Sequence, residues 1–426
     1  MDEHGAWVAR DASVVWHGFT QMSCYADNEP LVVERGEGHE LIDVDGSRYL
    51  DAISSLWVTT LGHHVPELDQ AVRDQLDRIS HSTMLGNGNR VVVELAEALA
   101  EVVPVDGPHF LFASDGAAAV EQALRIAMQY WANLGVEGKD TYLAFGGAYH
   151  GDTIGALSVG DGGFGTDVFD PLRFPVVRAP SGDIAAAVAL IAAHKDELAA
   201  VVLEPLVQGA AGMMLNRPEF VAAVAGAARQ AGVLLVVDEV ATGFGRTGTL
   251  FALEQCGVRA DLMCIGKGLT GGYLPMSATI VSGTVFDAFL GPDLSERTLY
   301  HGHSYSGNAL AAAVALRHLQ LIAEWDVLAN VGARAVQLGV ALSEHVGSKA
   351  AVAEVRQRGL MVGVELDGPE GGRWGRRVSS ACIRRGVLVR PLGDVVVLMP
   401  MLTSTEAEID RIVTTLADAI DEVCAE

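Results

Sequence analysis

The sequence predicts an α/β fold with a mostly parallel central sheet, and three observations support that prediction. Short apolar runs of strand length alternate with amphipathic helical segments along most of the chain. Glycines and acidic residues cluster where these runs end, which is the edge at which open α/β sheets bind ligands. Half of the 426 residues are hydrophobic, so the chain can bury a large core and divide into two domains.

Strands of a parallel sheet are buried on both faces and therefore have continuous apolar sequences. Six such runs are predicted as strands of the central sheet: 109–114, 141–145, 198–205, 232–240, 261–266 and 276–282. Helical segments lie between them. The clearest helical segment, 117–134, repeats apolar residues every three to four positions, which places them on one face of a helix.

The pattern changes in the last quarter of the chain. A helix over 309–323 is followed by shorter apolar runs and by a closing helix from Thr405. We predict that residues 1–55 and 320–426 together form a smaller α+β domain, and that residues 56–319 form the large domain.

Charge and composition exclude several classes of partner. The formal charge of −25 disfavours binding to nucleic acid or to an anionic membrane. No apolar run approaches the roughly 20 residues of a membrane helix, and the N-terminal residues lack the layout of a signal peptide. The five cysteines form no CxxC pair, which favours a reducing cytoplasm and offers no cysteine zinc site. We expect a cytoplasmic protein that binds neither nucleic acid nor membrane.

Lys267 is the most informative single residue. The chain contains four lysines and 25 arginines, yet Lys267 follows an apolar run and stands between two glycines. Loss of hydration there would favour the neutral amine, and a neutral amine is a nucleophile towards carbonyl groups. For a single lysine, the commoner alternative is a strand-end residue whose tip reaches water, and the surrounding motifs argue against it.

Asp238 ends another predicted strand, 29 residues before Lys267. Two parallel strand ends can place a carboxylate and an amine on one edge of the sheet. A helix-capping acid is the alternative for Asp238. A nucleotide hydrolase is disfavoured, because neither Gly-Lys pair of the chain is followed by the Ser or Thr of a phosphate loop.

The turn around Gly116 and Ala117 follows a predicted strand and opens the helix over 117–134. A glycine allows close approach of a ligand, and a helix N-terminus favours a phosphate. A simple strand–turn–helix junction is the alternative. The run 160–165 also matches the dinucleotide-binding glycine pattern, but no convincing strand precedes it, so we interpret that match as coincidental.

Other polar and aromatic residues near strand ends are weaker candidates. Tyr149 could lie flat on a cofactor ring or could simply pack in the core. Arg390, in an apolar run without a nearby acid, could hold a carboxylate ligand or form a distant ion pair. His301 and His303 have no carboxylate partner at metal-ligand spacing, so no metal is predicted.

Three motifs connect these residues to a known family: VVDEVATGFGRTG, DLMCIGKGLTGGYLP and LYHGHSYSGNALA, which lie at 236–248, 261–275 and 299–311. With them, essentially the whole chain resembles the class III, fold type I pyridoxal-phosphate aminotransferases. It is most similar to the members that make 7,8-diaminononanoate from 8-amino-7-oxononanoate in biotin biosynthesis. The segments HGFTQM, DAISSLW, GAYHGDT and VLVRPLGDVVVLMP carry this narrower similarity.

The resemblance implies a cofactor, pyridoxal 5'-phosphate, and a role for each matching residue. Lys267 would form the Schiff base, Asp238 would pair with the pyridine nitrogen, and Tyr149 would stack near the ring. The resemblance also implies a homodimer with shared active sites, in which Gly302, His303 and Ser304 come from the second subunit. The remaining implied contacts are Gly116, Ala117, His303 and Ser304 for the cofactor, and Phe19, Leu56, Trp57, Tyr149, Asp152, Arg246, Gly302 and Arg390 for the substrates. Arg390 would bind the carboxylate of 8-amino-7-oxononanoate.

The chain departs from the family on the substrate side, which bears on the amino donor. Phe19 replaces a tyrosine, Leu56 replaces the first of two tryptophans, and His303-Ser304 replaces Pro-Thr. Asp115 stands beside the expected phosphate. S-adenosylmethionine is the expected donor, and lysine is the alternative for the same acceptor. An ω-amino-acid:pyruvate transaminase and a non-catalytic cofactor-binding protein are the more distant alternatives.

Overall fold

A computed structural model describes residues 3–162, 165–368 and 371–425. Its strands are β1 Val33–Glu37, β2 Glu40–Asp43, β3 Arg48–Asp51, β4 His109–Ala113, β5 Thr141–Phe145, β6 Val177–Ala179, β7 Leu198–Leu203, β8 Val207–Gln208, β9 Met214–Leu215, β10 Leu234–Asp238, β11 Leu262–Ile265, β12 Ser277–Val281, β13 Val352–Arg358, β14 Met361–Leu366, β15 Val387–Leu388, β16 Arg390–Leu392 and β17 Val395–Leu398.

The α-helices of the described residues are α1 Glu3–Val14, α2 Ser54–Trp57, α3 Pro66–Leu76, α4 Arg90–Ala100, α5 Gly116–Asn133, α6 Ile154–Val159, α7 Ile184–Ala193, α8 Pro218–Ala231, α9 Gly283–Asp287, α10 Ala309–Glu324, α11 Val327–His345, α12 Trp374–Arg384 and α13 Glu406–Ala425. Short 3-10 segments cover Met22–Cys24, Ala26–Asn28, Thr166–Leu172, Ala252–Cys256 and Lys267–Thr270.

A seven-stranded sheet forms the centre of the molecule, in the order β4-β12-β11-β10-β7-β5-β6. The strands β6, β5, β7, β10 and β11 pair in parallel, whereas β12 is antiparallel to both of its neighbours. All six predicted strands lie in this sheet, and the prediction of an α/β fold with a mostly parallel sheet is confirmed. The seventh strand, β6, is a three-residue edge strand without a distinctive apolar run.

The central sheet is buried on both faces, as its continuous apolar strands predict. Along β10, Leu234 and Val236 belong to the apolar cluster that includes α5, whereas Leu235 and Val237 belong to the larger cluster on the opposite face. This alternation is the two-residue period of a strand. Because both faces are covered, polar groups can meet a ligand only at the ends of the strands.

Two smaller four-stranded sheets contain strands from the last part of the chain, in the orders β1-β2-β3-β15 and β13-β14-β17-β16. The first joins the two ends of the sequence, because β15 pairs in parallel with β3, with Val387 opposite Leu50. The division into residues 1–55 with 320–426 and residues 56–319 stays a prediction.

Two sequence features lie outside the central architecture. The glycine pattern over 160–165 follows helix α6, not a strand, and its residues 163 and 164 lie outside the described residues. Across the three described ranges, no helix is both long enough and apolar enough to span a membrane.

Candidate active site

The candidate site lies at the carboxyl edge of the central sheet. β4, β5, β7, β10 and β11 all point in the same direction, so their C-terminal ends meet at this edge. The residues at or after these ends include Asp115, Tyr149, Glu204, Asp238 and Lys267. Ligands of open α/β sheets bind at this edge, and the observed strand order therefore brings together residues that are more than 100 positions apart in sequence.

Lys267 directly follows β11 and Gly266 and has a left-handed backbone with φ of 41°. Such conformations are unfavourable for a non-glycine residue and cluster at functional sites. The Nζ atom lies 5.0 Å from the centroid of the Trp57 ring. Burial lowers the pKa of Lys267, although the negative charges of Asp238 and Glu204 oppose that shift. A larger fraction of Lys267 is therefore neutral than of an exposed lysine at the same pH.

Asp238 is buried at the end of β10, with both carboxylate oxygens fixed. Oδ1 accepts a hydrogen bond from the Val240 N–H at 3.0 Å, and Oδ2 is 2.8 Å from Nδ1 of His150. A carboxylate can only accept, so Nδ1 carries the proton. Burial opposes a charge on the imidazole, but the hydrogen bond and the negative charge of Asp238 outweigh it and raise the pKa of His150. His150 thus holds Asp238 in one orientation.

Sequence reasoning missed His150 as a functional residue. Its only signal is its position directly after Tyr149 in a loop that follows a buried strand. The ring is fully buried, and among the described residues its Nε2 atom has no hydrogen-bond partner.

Helix α5 begins at Gly116 and points its N-terminus towards the site. The carboxylate of Asp115 folds back onto this helix and accepts a hydrogen bond from the Ala118 N–H at 2.9 Å. Gly116 and Ala117 occupy the first two helical positions, where N–H groups have no acceptor within the helix. Two donors and the positive end of the helix dipole therefore remain for an anion.

Two glycines allow the chain to pack closely around this helix N-terminus. A Cβ atom on Gly116 would lie 2.7 Å from Cγ1 of Val240, and one on Gly151 would lie 2.4 Å from Cβ of Ala117. Gly151 also has φ of 121°, a conformation that favours glycine. These contacts bring the loop that carries Tyr149 against the start of α5.

Glu204, directly after β7, is a second residue that sequence reasoning missed. Its carboxylate accepts hydrogen bonds from the N–H groups of Tyr149 at 3.0 Å and Gly209 at 3.2 Å. Burial, together with the nearby charge of Asp238, raises the pKa of Glu204 to about 7. The available signal was an acid immediately after a fully apolar run, the same signal that selected Asp238.

A cavity of about 1610 Å³ opens at this edge. It brings together most of the residues that the sequence singled out, namely Phe19, Leu56, Trp57, Gly116, Ala117, Tyr149, Asp152, Asp238, Lys267 and Arg390. Burial and the neighbouring carboxylate of Asp152 raise the pKa of Tyr149, which keeps its hydroxyl protonated. Phe19 and Leu56 are 64% and 46% exposed, so their apolar side chains lie at the open part of the cavity.

The segment before and including Trp57 has an unusual backbone. Ser54, Ser55 and Trp57 all have positive φ values between 53° and 66°. Asp51 stabilises this segment by accepting hydrogen bonds from the Ile53 and Ser55 N–H groups. A strained segment held in this way is typical of a ligand-binding site, and here it positions Trp57 beside Lys267.

Arg246 does not line the cavity. Its guanidinium is 1% exposed and donates to the backbone carbonyls of Pro400 at 2.7 Å and Thr59 at 2.8 Å. Burial lowers the pKa of Arg246 to about 9. In this chain, Arg246 therefore connects the backbone just after Trp57 to the backbone at Pro400. Its effect on the cavity is indirect, because it fixes the segment that follows Trp57.

Gly302, His303 and Ser304 do not line the cavity of their own chain. His81 Nε2 lies 2.8 Å from the Ser304 carbonyl oxygen, and the His303 N–H donates to Ser306 Oγ at 3.2 Å. The role predicted for these three residues requires a second subunit, and that role stays a prediction.

The groups at the cavity fit pyridoxal 5'-phosphate. The first-turn N–H groups of α5 suit its phosphate, Asp238 suits a protonated ring nitrogen, and Lys267 suits its carbonyl carbon. Tyr149 lies on the same wall. The fold and this set of groups define a fold type I enzyme that depends on pyridoxal 5'-phosphate.

Comparisons with known proteins specify the family. The class-III aminotransferase family pattern matches residues 22–420. The adenosylmethionine-8-amino-7-oxononanoate aminotransferase of Nitratidesulfovibrio vulgaris is 43% identical over 96% of this chain and 80% of its own length. The chain belongs to the class III aminotransferases, which use pyridoxal 5'-phosphate.

Two solved structures are similar over almost the whole chain. The crystal structure of adenosylmethionine-8-amino-7-oxononanoate aminotransferase from Methanocaldococcus jannaschii has a TM-score of 0.95 and 37% identity, with 99% of each chain covered. The ω-transaminase of Pseudomonas jessenii in complex with PMP has a TM-score of 0.92 and 26% identity, with 98% of each chain covered.

Proposed function

We propose that this aminotransferase converts 8-amino-7-oxononanoate into 7,8-diaminononanoate, a step of biotin biosynthesis, with S-adenosylmethionine as amino donor. The observation that carries the proposal is Arg390, which lines the same cavity as Lys267 and has no acid within ion-pair distance among the described residues. A guanidinium suits the carboxylate of a long-chain acceptor. The names and full-length similarity of the relatives from N. vulgaris and M. jannaschii support the same reaction.

In this proposal each cavity residue has a chemical task. When bound, pyridoxal 5'-phosphate supplies a carbonyl carbon that condenses with amines and a protonated ring that accepts electrons. Lys267 Nζ takes up the proton that the donor carbon loses and, in the second half-reaction, gives a proton to the acceptor carbon. Asp238, oriented by His150, keeps a negative charge beside the ring nitrogen. Gly116 and Ala117 bind the phosphate, and this assignment is supported by their position at the start of α5.

The identity of the donor depends on the open part of the cavity. Phe19 and Leu56 present no polar group to an adenosyl donor, and their exposed apolar surfaces suit the methylenes of lysine. Trp57, whose Nε1 has no hydrogen-bond partner among the described residues, supplies a flat ring and a donor that suit a larger ligand. We therefore keep S-adenosylmethionine as donor and lysine as the specific alternative.

We also propose a cytoplasmic homodimer in which Gly302, His303 and Ser304 of one subunit complete the active site of the other. Exposed aromatic residues flank this segment, with Tyr300 and Tyr305 exposed by 69% and 67%, as expected of a surface that another protein covers. All five cysteines are free thiols, which suits a reducing compartment.

The test is a half-reaction screen of the purified holoenzyme. S-adenosylmethionine, lysine, alanine and β-alanine are mixed separately with it at equal concentration, and loss of the visible cofactor absorbance is followed. The aminated enzyme is then given 8-amino-7-oxononanoate, and the product is identified by mass spectrometry. We expect rapid bleaching by S-adenosylmethionine and formation of 7,8-diaminononanoate.

The other outcomes of the screen are equally informative. Bleaching by lysine alone would replace the donor and keep the acceptor. Turnover of pyruvate without any 7,8-diaminononanoate would replace the proposed function by that of an ω-amino-acid transaminase. Absence of bleaching by every amine would indicate a non-catalytic cofactor-binding protein.

A further inference from the structure

Helix α12 forms one wall of the cavity, and none of its residues has a role in the proposed function. Four of its residues line the cavity, namely Arg376, Ser379, Ser380 and Ile383. Their spacing of three to four positions places them on a single face of the helix. The helix also packs against α13 and against the sheet that contains β16. One whole face of an amphipathic helix is therefore turned towards the ligand space.

The start of α12 is fixed directly against the turn that follows Arg390. A Cβ atom on Gly375 would lie 2.4 Å from the Gly393 carbonyl oxygen and 3.2 Å from Cβ of Pro391. The Gly375 N–H also donates to Asp394 Oδ1 at 3.1 Å. Because only glycine fits this contact, Arg376 is held next to the segment that carries Arg390, and both arginines belong to one wall.

Arg376 is oriented by a neutral partner. Its Nη1 donates to Oδ1 of Asn28 at 2.6 Å, and no carboxylate of the described residues lies within ion-pair distance of its guanidinium. The acids that line the cavity, Asp115, Asp152, Glu204 and Asp238, lie at or after the ends of strands of the central sheet. The wall formed by the first 30 residues and by residues beyond 370 contains two arginines and no acid. In a chain with a formal charge of −25, this wall is a local site for an anion.

Ser379 adds an independent sign of a ligand. The residue is 4% exposed, it lines the cavity, and its Oγ atom has no hydrogen-bond partner among the described residues. A buried hydroxyl without a partner is unfavourable in the free protein. A substrate oxygen in the cavity would satisfy it.

We propose that Arg376 and Ser379, together with Arg390, form the subsite that binds the carboxylate of the long-chain oxo acid acceptor. A carboxylate has about four lone-pair positions and can accept from two guanidinium groups and a hydroxyl at once. Arg376 and Ser379 thereby determine specificity for an acceptor whose carboxylate lies far from its reacting carbonyl carbon. This inference rests on the proposed function, because it assigns these residues to the same acceptor.

The test separates binding of the carboxylate from catalysis. Binding of nonanoate and of neutral nonanamide to the holoenzyme is measured by calorimetry for the natural protein, Arg376→Gln and Ser379→Ala. Arg384→Gln is the matched control, because Arg384 lies on the same helix, pairs with Glu422 and does not line the cavity. The kcat and KM for 8-amino-7-oxononanoate are measured in parallel.

Arg376→Gln should weaken nonanoate binding about tenfold, as expected for loss of one charge-assisted contact near solvent. Binding of nonanamide should not change, and the KM for the oxononanoate should rise by a similar factor while kcat stays the same. Ser379→Ala should weaken nonanoate binding by about threefold without lowering the midpoint of thermal unfolding, since the hydroxyl has no partner to lose.

Three results would overturn the subsite. These are unchanged nonanoate binding in Arg376→Gln, an equal loss in Arg384→Gln, or a lower unfolding midpoint in Ser379→Ala. The two proposals fail separately. If nonanoate binding responds as expected but no 7,8-diaminononanoate is formed, the subsite stands and the acceptor is another long-chain oxo acid. If 7,8-diaminononanoate is formed but nonanoate binding does not respond, only the subsite is lost.

Discussion

Lys267 is subject to two opposing electrostatic effects. Burial favours its neutral amine, whereas Asp238 and Glu204 favour its ammonium, and the result is a lowered pKa. A buried amine with a lowered pKa can act both as a nucleophile and as a proton carrier. The left-handed backbone at Lys267 fixes where its side chain starts, so the position of the amine depends on the turn after β11 as well as on charge.

Replacement of Lys267 by alanine should therefore reduce turnover by at least about a thousandfold, since nucleophile and proton carrier are lost together. The visible absorbance of bound cofactor should change, while the midpoint of thermal unfolding of the cofactor-free protein should not fall, because a buried polar amine is removed. Lys195→Ala, at an exposed lysine, is the matched control and should behave like the natural protein. Turnover above about a tenth of the natural rate in Lys267→Ala would contradict the role of this residue.

At the scale of single elements, the close contact between the Tyr149 loop and helix α5 depends on Gly151. Gly151→Ala should separate the loop from the helix, because its Cβ atom would lie 2.4 Å from that of Ala117 at a backbone φ of 121°. We expect weaker binding of pyridoxal 5'-phosphate and a loss of about 1–3 kcal/mol in the free energy of unfolding. Both are measured, by cofactor titration and by urea unfolding.

Gly138→Ala is the control for this substitution. Gly138 also has a positive φ, of 82°, but no atom lies within 4 Å of the position that an alanine methyl group would take there. Gly138→Ala should therefore lower the free energy of unfolding through backbone strain alone and leave cofactor binding unchanged. Equal cofactor binding by Gly151→Ala and the natural protein would show that the contact with Ala117 is not what positions the loop.

The elements of the central sheet were predictable because burial on both faces requires continuous apolar runs, as in β7 and β10. The direction of β12 was not predictable, since an apolar run does not encode whether its neighbours are parallel. Lys267, Asp238 and Gly116 were found from glycines and charges at strand ends. Glu204 and His150 gave similar signals, but a strand-end acid or histidine equally fits a local hydrogen bond.

The cavity face of α12 was not predictable for another reason. A helix face that lines a ligand space and a helix face that packs against protein have the same periodicity in sequence. The tertiary contacts of Gly375 with the turn at Gly393 and of Arg376 with Asn28 show that Arg376 is directed to the cavity wall.

At the scale of the whole molecule, the site contains several buried ionisable groups, and their burial should make the free energy of unfolding depend on pH. The pKa of Glu204 rises from 4.5 to about 7 because of burial and the charge of Asp238. Between these two values the folded protein retains a proton that the unfolded chain has released. Rising pH then favours the unfolded state, and the effect is complete once the pH exceeds about 7. Glu204 therefore contributes most to stability at low pH.

Glu204→Gln removes this titration, and the difference between the two proteins isolates it. The free energy of unfolding of the natural protein should fall by about 3 kcal/mol relative to that of Glu204→Gln as the pH rises from about 4.5 to about 7. Urea unfolding of the cofactor-free proteins at several pH values measures the difference. Glu344→Gln, at an exposed glutamate, is the control and should follow the natural protein at every pH. If the curves for Glu204→Gln and the natural protein stay parallel, folding does not raise the pKa of Glu204, and its two backbone hydrogen bonds then stabilise the charge as much as burial opposes it.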